Sequence, residues 1–303
     1  MSVLMWYLHP LQKWFLRQTT RLCELQRICY GETAGAPRTI AVENSMTASR
    51  SKEVSLVLAK LKAAGGMTDV EVKQLKDKSV KTVLKVKGIK PDLHKQFVMS
   101  LSACLKQMIG YHQLIHKVEQ LRSEAYDETK TEHETQLLEL WRLLQPDRDL
   151  DARVSKRWQE IGFQGSDPKT DFRGMGLLGL SNLLYFAREY GVAAKQILSH
   201  SHHPKFGYSF AIVGINLTQL AYRLLTDGSL RSHLYNKNQL PDIDPFHQFY
   251  SYIFIEFDKF WLECEPRDIM EFNRIRDIFE SNLRSQLADT STCFKVNLEV
   301  ETV

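Results

Sequence analysis

Apolar residues return every three or four positions along most of this chain, and almost nowhere do they alternate one for one with polar residues. Downstream of Pro91, Leu93, Phe97, Leu101, Cys104, Leu105, Met108, Tyr111, Leu114, Ile115 and Val118 form one stripe, which predicts a long helix across roughly 92–122. Leu137, Leu138, Trp141 and Leu144 predict another over about 131–145, ended by Pro146. The same period recurs near 150–160, 177–190, 192–200, 208–226, 244–263 and 268–287, with Gly, Pro or Asp-rich turns between. Phe246, Phe249, Tyr250, Ile253, Phe254, Phe257, Phe260 and Trp261 keep spacings of three and four, the pattern of a core helix rather than of a cofactor box. No stretch reads as a strand, so the expected fold is all-α.

Near the start, Leu11, Trp14, Phe15, Leu22, Leu25 and Cys29 share helical spacing while Lys13, Arg17, Arg21 and Arg27 project roughly opposite. This predicts a basic amphipathic helix. Its stripe suits either an anionic membrane surface, with Trp6, Tyr7 and Trp14 as interfacial anchors, or the protein's own core. Gly31 to Ser51 is rich in small and polar residues without apolar period and reads as a linker. Lys60, Lys62, Lys73, Lys76, Lys78, Lys81, Lys85, Lys87, Lys90 and Lys95 follow, a run that could favour an acidic partner or lipid head groups but reads first as a solvated helix face. Thr68 and Glu71 stand at capping-box spacing and predict a helix start there.

With 40 Lys and Arg against 36 Asp and Glu, the net charge is only +4, short of the concentrated basic stripe that nucleic-acid binding requires. The apolar run Val3 to Leu8 is closed by His9 and Pro10, too short for a membrane span of about 20 residues. Cys23, Cys29, Cys104, Cys264 and Cys293 are odd in number and widely scattered, which fits reduced thiols and an intracellular, cytoplasmic location.

Several motifs begin and do not finish. Gly174, Gly176 and Gly179 match a dinucleotide-binding pattern, but the polar residues Lys169 to Arg173 precede them where a buried strand belongs. Gly165 to Thr170 suggests a phosphate loop, yet Pro168 stands where a glycine precedes the lysine. His133 and Glu134 open a zinc-protease pattern whose closing position is Leu137. His200, His202 and His203 lack ligand-spaced partners and read as a polar turn before Pro204. No cofactor or metal of the chain's own is expected.

The stretch from Trp158 to Gly176 holds the densest information. Glycines at 162, 165, 174 and 176 permit unusual backbone, while Asp167, Pro168, Thr170 and Asp171 suit tight turns and a helix cap. Such chemistry builds a rigid loop, either as a plain connection with Trp158, Phe163 and Phe172 in the core or as a recognition element.

The residues Trp158, Gly162, Phe163, Gln164, Gly165, Asp167, Pro168, Thr170, Asp171, Phe172, Arg173, Gly174 and Gly176, followed by Leu180, Asn182, Leu183, Tyr185 and Phe186, resemble the pattern of ELMO domain proteins. The likeness runs on through Gly207 to Thr218, Glu256 to Trp261 and Ile269 to Asn273, with Cys23 to Arg27 and Glu124 to Asp127 outside the domain. It is similar to the short, single-domain members. The resemblance implies a multi-helix ELMO domain over 131–290, a helical extension over 51–130, the amphipathic helix and linker over 1–50, and a tail over 291–303. It also implies a GTPase-activating protein for Arf-family and Arf-like small GTPases, with Arg173 as the arginine supplied in trans. Gly162, Phe163, Gln164, Gly165, Asp167, Pro168, Thr170, Asp171, Phe172 and Gly174 would form its partner-binding loop. GTP and Mg²⁺ would belong to the partner, and association with endomembranes, lipid droplets or mitochondria would be peripheral, through residues 1–30. The alternative within the same family is a non-catalytic interaction module, in which Arg173 is a surface contact or an ion-pair partner of Asp167 or Asp171.

Overall fold

A computed structural model describes residues 15–236, 242–289 and Phe294. Trp6, Tyr7, Trp14, Cys293 and the rest of the expected tail apart from Phe294 lie outside the described residues. Every regular element among those described is helical, and no strand occurs. The chain divides into two compact units: residues 15–116 with 231–236, and 117–230 with 242–289 and Phe294.

The first unit contains α1 (Glu24–Gly31), α2 (Ala36–Thr47), α3 (Lys52–Lys62), α4 (Asp69–Lys87) and the early turns of α5 (Lys95–Ser123). Thr68 and Glu71 close the expected capping box on α4, whose last turn ends at Gly88 in the left-handed conformation. Two expectations are corrected here. The single amphipathic helix is interrupted: residues 15–20 are helical, Arg21 takes a positive φ of 55°, and a new helix starts at Glu24. Leu25 and Cys29 are buried, so this part of the stripe serves the protein's own core. The stretch expected to be a linker folds as α2, started by Pro37 in its first turn and burying Thr39, Val42, Glu43 and Met46. Its buried face looked like loop because two of these positions are polar, and both are satisfied. Thr39 hydrogen-bonds Gln107, while Glu43 accepts from Arg231 at 3.1 Å and from Tyr235 at 2.9 Å.

In the second unit, α6 (Thr131–Leu144) is followed by 3₁₀ segments at Lys156–Ile161 and Pro168–Arg173. Then come α7 (Gly176–Glu189), α8 (Gly191–Ser201) and α9 (Phe210–Thr226). Across the short α10 (Arg231–Leu234) of the first unit, α11 (Asp244–Glu263) and α12 (Phe272–Ala288) complete the fold. α9 is apolar nearly all round and is buried along its length, with α7 and α11 packed on it. The aromatic stripe of α11 is core, as its spacing predicted, with Phe246, Tyr250, Ile253, Phe254, Phe257 and Trp261 fully enclosed. Gly214 brings α9 close to its neighbours, since a Cβ there would lie 2.5 Å from Leu183 and 2.8 Å from the Tyr250 hydroxyl.

One buried polar link joins these three helices. Asn182 of α7 donates to Thr218 of α9 at 3.0 Å, and its Oδ1 meets His247 Nδ1 of α11 at 2.6 Å. Burial pushes the His247 imidazole down to about 4, with Asp242 acting in the opposite direction. The native state therefore holds His247 neutral while the unfolded chain protonates it near 6.5. Stability from this site is present above pH 6.5 and is lost as pH falls toward 4, because the unfolded state binds the extra proton. Urea unfolding should show about 2 kcal/mol less stability at pH 5 than at pH 7 from this group. His247→Gln should flatten that dependence; an unchanged slope would remove His247 as its source.

Candidate functional site

The loop between α6 and α7 is built from two short 3₁₀ segments, each started by a side-chain cap. Ser155 accepts from the Arg157 amide at 3.2 Å, and Asp167 accepts from the Lys169 amide at 3.1 Å with Pro168 in the first position. The loop is also tied across itself. Ser155 N–H donates to the Ser166 carbonyl at 2.9 Å, and Asp171 accepts from the Gln164 amide at 2.9 Å. Beneath it runs a ladder of rings: Trp141 on Trp158, Trp158 on Phe163, Phe163 on Phe172, and Phe172 stacked on Tyr126, with centroids 5.5 to 5.8 Å apart. Each such pair adds about 0.5–1.5 kcal/mol beyond its burial. The loop is thus a packed element whose inner face is core.

Two of its glycines are required by close approach. Gly162 takes φ 84°, and a Cβ would fall 2.2 Å from the Phe210 amide nitrogen at the start of α9. Gly176 takes φ 53°, and a Cβ would fall 2.3 Å from the Arg122 carbonyl oxygen, while the Leu177 amide donates to the Glu124 carbonyl at 2.9 Å. Gly179, the last glycine of the dinucleotide-like pattern, faces Phe172, Met175 and Ile215 at ordinary contact distance inside α7. Packing accounts for these glycines. Gly174 differs: it is exposed, its φ is −80°, and a Cβ would meet nothing within 4 Å.

The loop residues named from the sequence therefore divide. Phe163, Pro168 and Phe172 are buried; Gly162, Gly165, Asp167 and Asp171 are half-buried; Gln164, Thr170, Arg173 and Gly174 face solvent. Arg173 ends the second 3₁₀ segment, and its guanidinium has no ion pair or hydrogen bond among the described residues. The two carboxylates that could have neutralised it are engaged elsewhere. Burial works against ionisation of Asp167, yet the Lys169 amide and the Arg153 guanidinium hold its carboxyl below the usual range. Burial raises Asp171, and the Gln164 amide opposes that rise.

The remaining sequence candidates are structural. His200 Nδ1 meets the buried Asp258 at 2.7 Å, His202 meets the Glu160 carbonyl at 2.8 Å, and His203 Nδ1 accepts from the Lys205 and Phe206 amides. Cys23, Cys29, Cys104 and Cys264 are free thiols. Among the described residues no helix is long and apolar enough to cross a membrane. Sequence reasoning missed Arg153, which joins Glu134, Asp167 and Tyr126 under the loop. The helix expected near 150–160 is instead a series of bends over 151–154 followed by the 3₁₀ segment Lys156–Ile161, and the helical period read there gave no sign of what Arg153 would meet.

The glycine geometry separates scaffold from surface. Gly162→Ala and Gly176→Ala should each lower the unfolding temperature sharply, with losses above about 3 kcal/mol, because backbone must move in both. Gly174→Ala should leave stability unchanged or raise it by up to about 1 kcal/mol. Thermal unfolding of the three variants checks this, and a stable Gly176→Ala protein would contradict the packing against α5.

Comparison with known proteins agrees with this architecture. The profile of the ELMO/CED-12 family matches residues 116–276. Mouse ELMO domain-containing protein 2 is 49% identical over 278 residues, covering 91% of each chain. Mouse ELMO domain-containing protein 1 is 46% identical over 300 residues, covering 93% of this chain and 88% of that protein. ELMO domain-containing protein B of Dictyostelium discoideum is 33% identical over 287 residues, covering 93% and 96%. No solved structure matches significantly. By sequence and by its all-helical fold the chain belongs to the ELMO/CED-12 family, a family of small-GTPase signalling.

Proposed function

We propose that this protein is a GTPase-activating protein for Arf-family or Arf-like small GTPases and that Arg173 is the group it contributes. The observation that carries the reading is an exposed guanidinium, free of counter-ions among the described residues, at the end of a rigid 3₁₀ turn. Water solvates an exposed arginine and a surface ion pair contributes only about 0–1 kcal/mol, so stability does not require Arg173 to be paired and it stays available to a partner. In GTP hydrolysis negative charge spreads over the transferring phosphoryl group, and a planar guanidinium neutralises it with two parallel hydrogen bonds. GTP, Mg²⁺ and the phosphate loop belong to the partner, so this chain completes a site rather than containing one. Gln164, Thr170 and Gly174 share the exposed rim with Arg173, and the open space at Gly174 leaves room for a partner's backbone to approach.

Arg173→Lys should reduce maximal single-turnover GTP hydrolysis by at least about a hundredfold across a panel of Arf-family GTPases. The half-saturating concentration and the unfolding temperature should change little, because lysine keeps the charge but loses the fork. Full activation by the folded variant would reject the arginine role and leave a non-catalytic interaction module.

Peripheral association with an anionic membrane surface through the first 30 residues belongs to the same proposal. Because Leu25 and Cys29 are core, the contact must fall before residue 23. Deleting residues 1–14 should weaken sedimentation with anionic liposomes, more so at low salt, and leave activation in solution intact. Equal sedimentation of the truncated protein would remove the anchor.

A further inference from the structure

Both ends of the 3₁₀ helix that carries Arg173 lead back to one side chain. Arg153 Nη1 donates to Asp167 Oδ1 at 3.1 Å, and Asp167 is the cap of that helix. Arg153 Nε donates to Glu134 Oε2 of α6, whose other oxygen accepts from the Tyr126 hydroxyl at 2.6 Å. The same guanidinium lies 5.9 Å from the Tyr126 ring centroid. Tyr126 stacks at 29° on Phe172, the residue immediately before Arg173. The Ser155 to Ser166 hydrogen bond closes the loop two residues beyond Arg153.

Resting on the reading of Arg173 as the arginine given to a partner GTPase, we infer that Arg153 is the positioning residue for it. Arg153 acts through Asp167 at one end of the 3₁₀ helix and through Tyr126 and Phe172 at the other.

The physical need is specific. Arg173 has no counter-ion to orient it, so its backbone must be placed from below, and a misplacement of about 1 Å costs on the order of a hundredfold in rate. The side chains of Arg153, Glu134 and Asp167 are each only 18–25% exposed, so these bonds are poorly screened. A planar fork can serve two carboxylates and a ring at once, whereas an ammonium of the same charge cannot hold all three directions. Glu134 and Asp167 also need a cation between them, which is why an apolar replacement would confound placement with an uncompensated buried charge.

Two variants of the full-length protein keep the test clear of that confusion. Arg153→Lys retains the positive charge and loses the fork; Asp167→Asn retains the helix cap, since Asn caps as well as Asp, and weakens the link to Arg153. Each is titrated into an Arf-family GTPase that the wild-type protein activates, in single-turnover hydrolysis. Affinity is then measured for that GTPase bound to GDP and aluminium fluoride and bound to a non-hydrolysable GTP analogue. For Arg153→Lys the maximal rate should fall at least about tenfold while the half-saturating concentration moves less than about threefold. Preference for the aluminium fluoride form should fall with the rate, and Asp167→Asn should show the same pattern more weakly. A merely structural role would lower the folded fraction and affect both nucleotide forms alike. Full rate and undiminished preference in both folded variants, with both lost in Arg173→Lys, would overturn the positioning role and leave the activator reading intact. Retention of both by Arg173→Lys would overturn that reading itself.

Discussion

The loop between α6 and α7 ends in an exposed charge and is held in place by the rings packed beneath it, and much of the second unit rests on that packing. The usual way to immobilise an arginine is to give it a carboxylate, but Arg173 has none among the described residues. Its order comes instead from the hydrophobic effect acting on its neighbours. Trp158, Phe163 and Phe172 turn inward from a segment with little room to rearrange, and their rings stand on Trp141 of α6 and on Tyr126. Burying an aromatic side chain contributes about 1.5–3 kcal/mol, so lifting the loop would expose several such contributions at once.

The surrounding helices serve the same end. Gly162 lets the loop touch the start of α9, and Gly176 lets α7 begin against the last carbonyls of α5. Without a side chain at either place, backbone meets backbone, and the ends of the loop are fixed against the start of α9 and the end of α5. The electrostatic layer of Arg153, Glu134 and Asp167 lies between this apolar floor and the exposed rim, where water is scarce enough for charge pairs to have direction.

What could be read from the sequence follows from what leaves a period. α5, α6, α7, α9 and α11 bury a stripe of large side chains, so their spacing alone locates them to within a few residues. α2 was illegible because part of its inner face is polar: Glu43 and Thr39 look like solvent-facing residues until Tyr235, Arg231 and Gln107 are brought to them from elsewhere in the chain. The break at Arg21 has no Gly or Pro to announce it. In the loop, turn chemistry and the family pattern predicted an ordered element, yet neither could say which residues face water. That division depends on the ring ladder, a tertiary fact. Gly174 and Gly176 are indistinguishable as letters, and only the distance to α5 tells them apart.

The pairing of Glu43 with Arg231 and Tyr235 spans 188 and 192 residues of sequence. Asn236 adds to it by accepting from the Ala36 amide at the start of α2, at 2.8 Å. On the ribosome, where chains lengthen at about 5–20 residues per second, α2 would wait roughly 10–40 s for these partners to be made. During that interval a helix destined to bury a carboxylate has nothing to bury it against. The first unit, although it holds the earliest helices, is therefore finished late, after most of the second has already been synthesised.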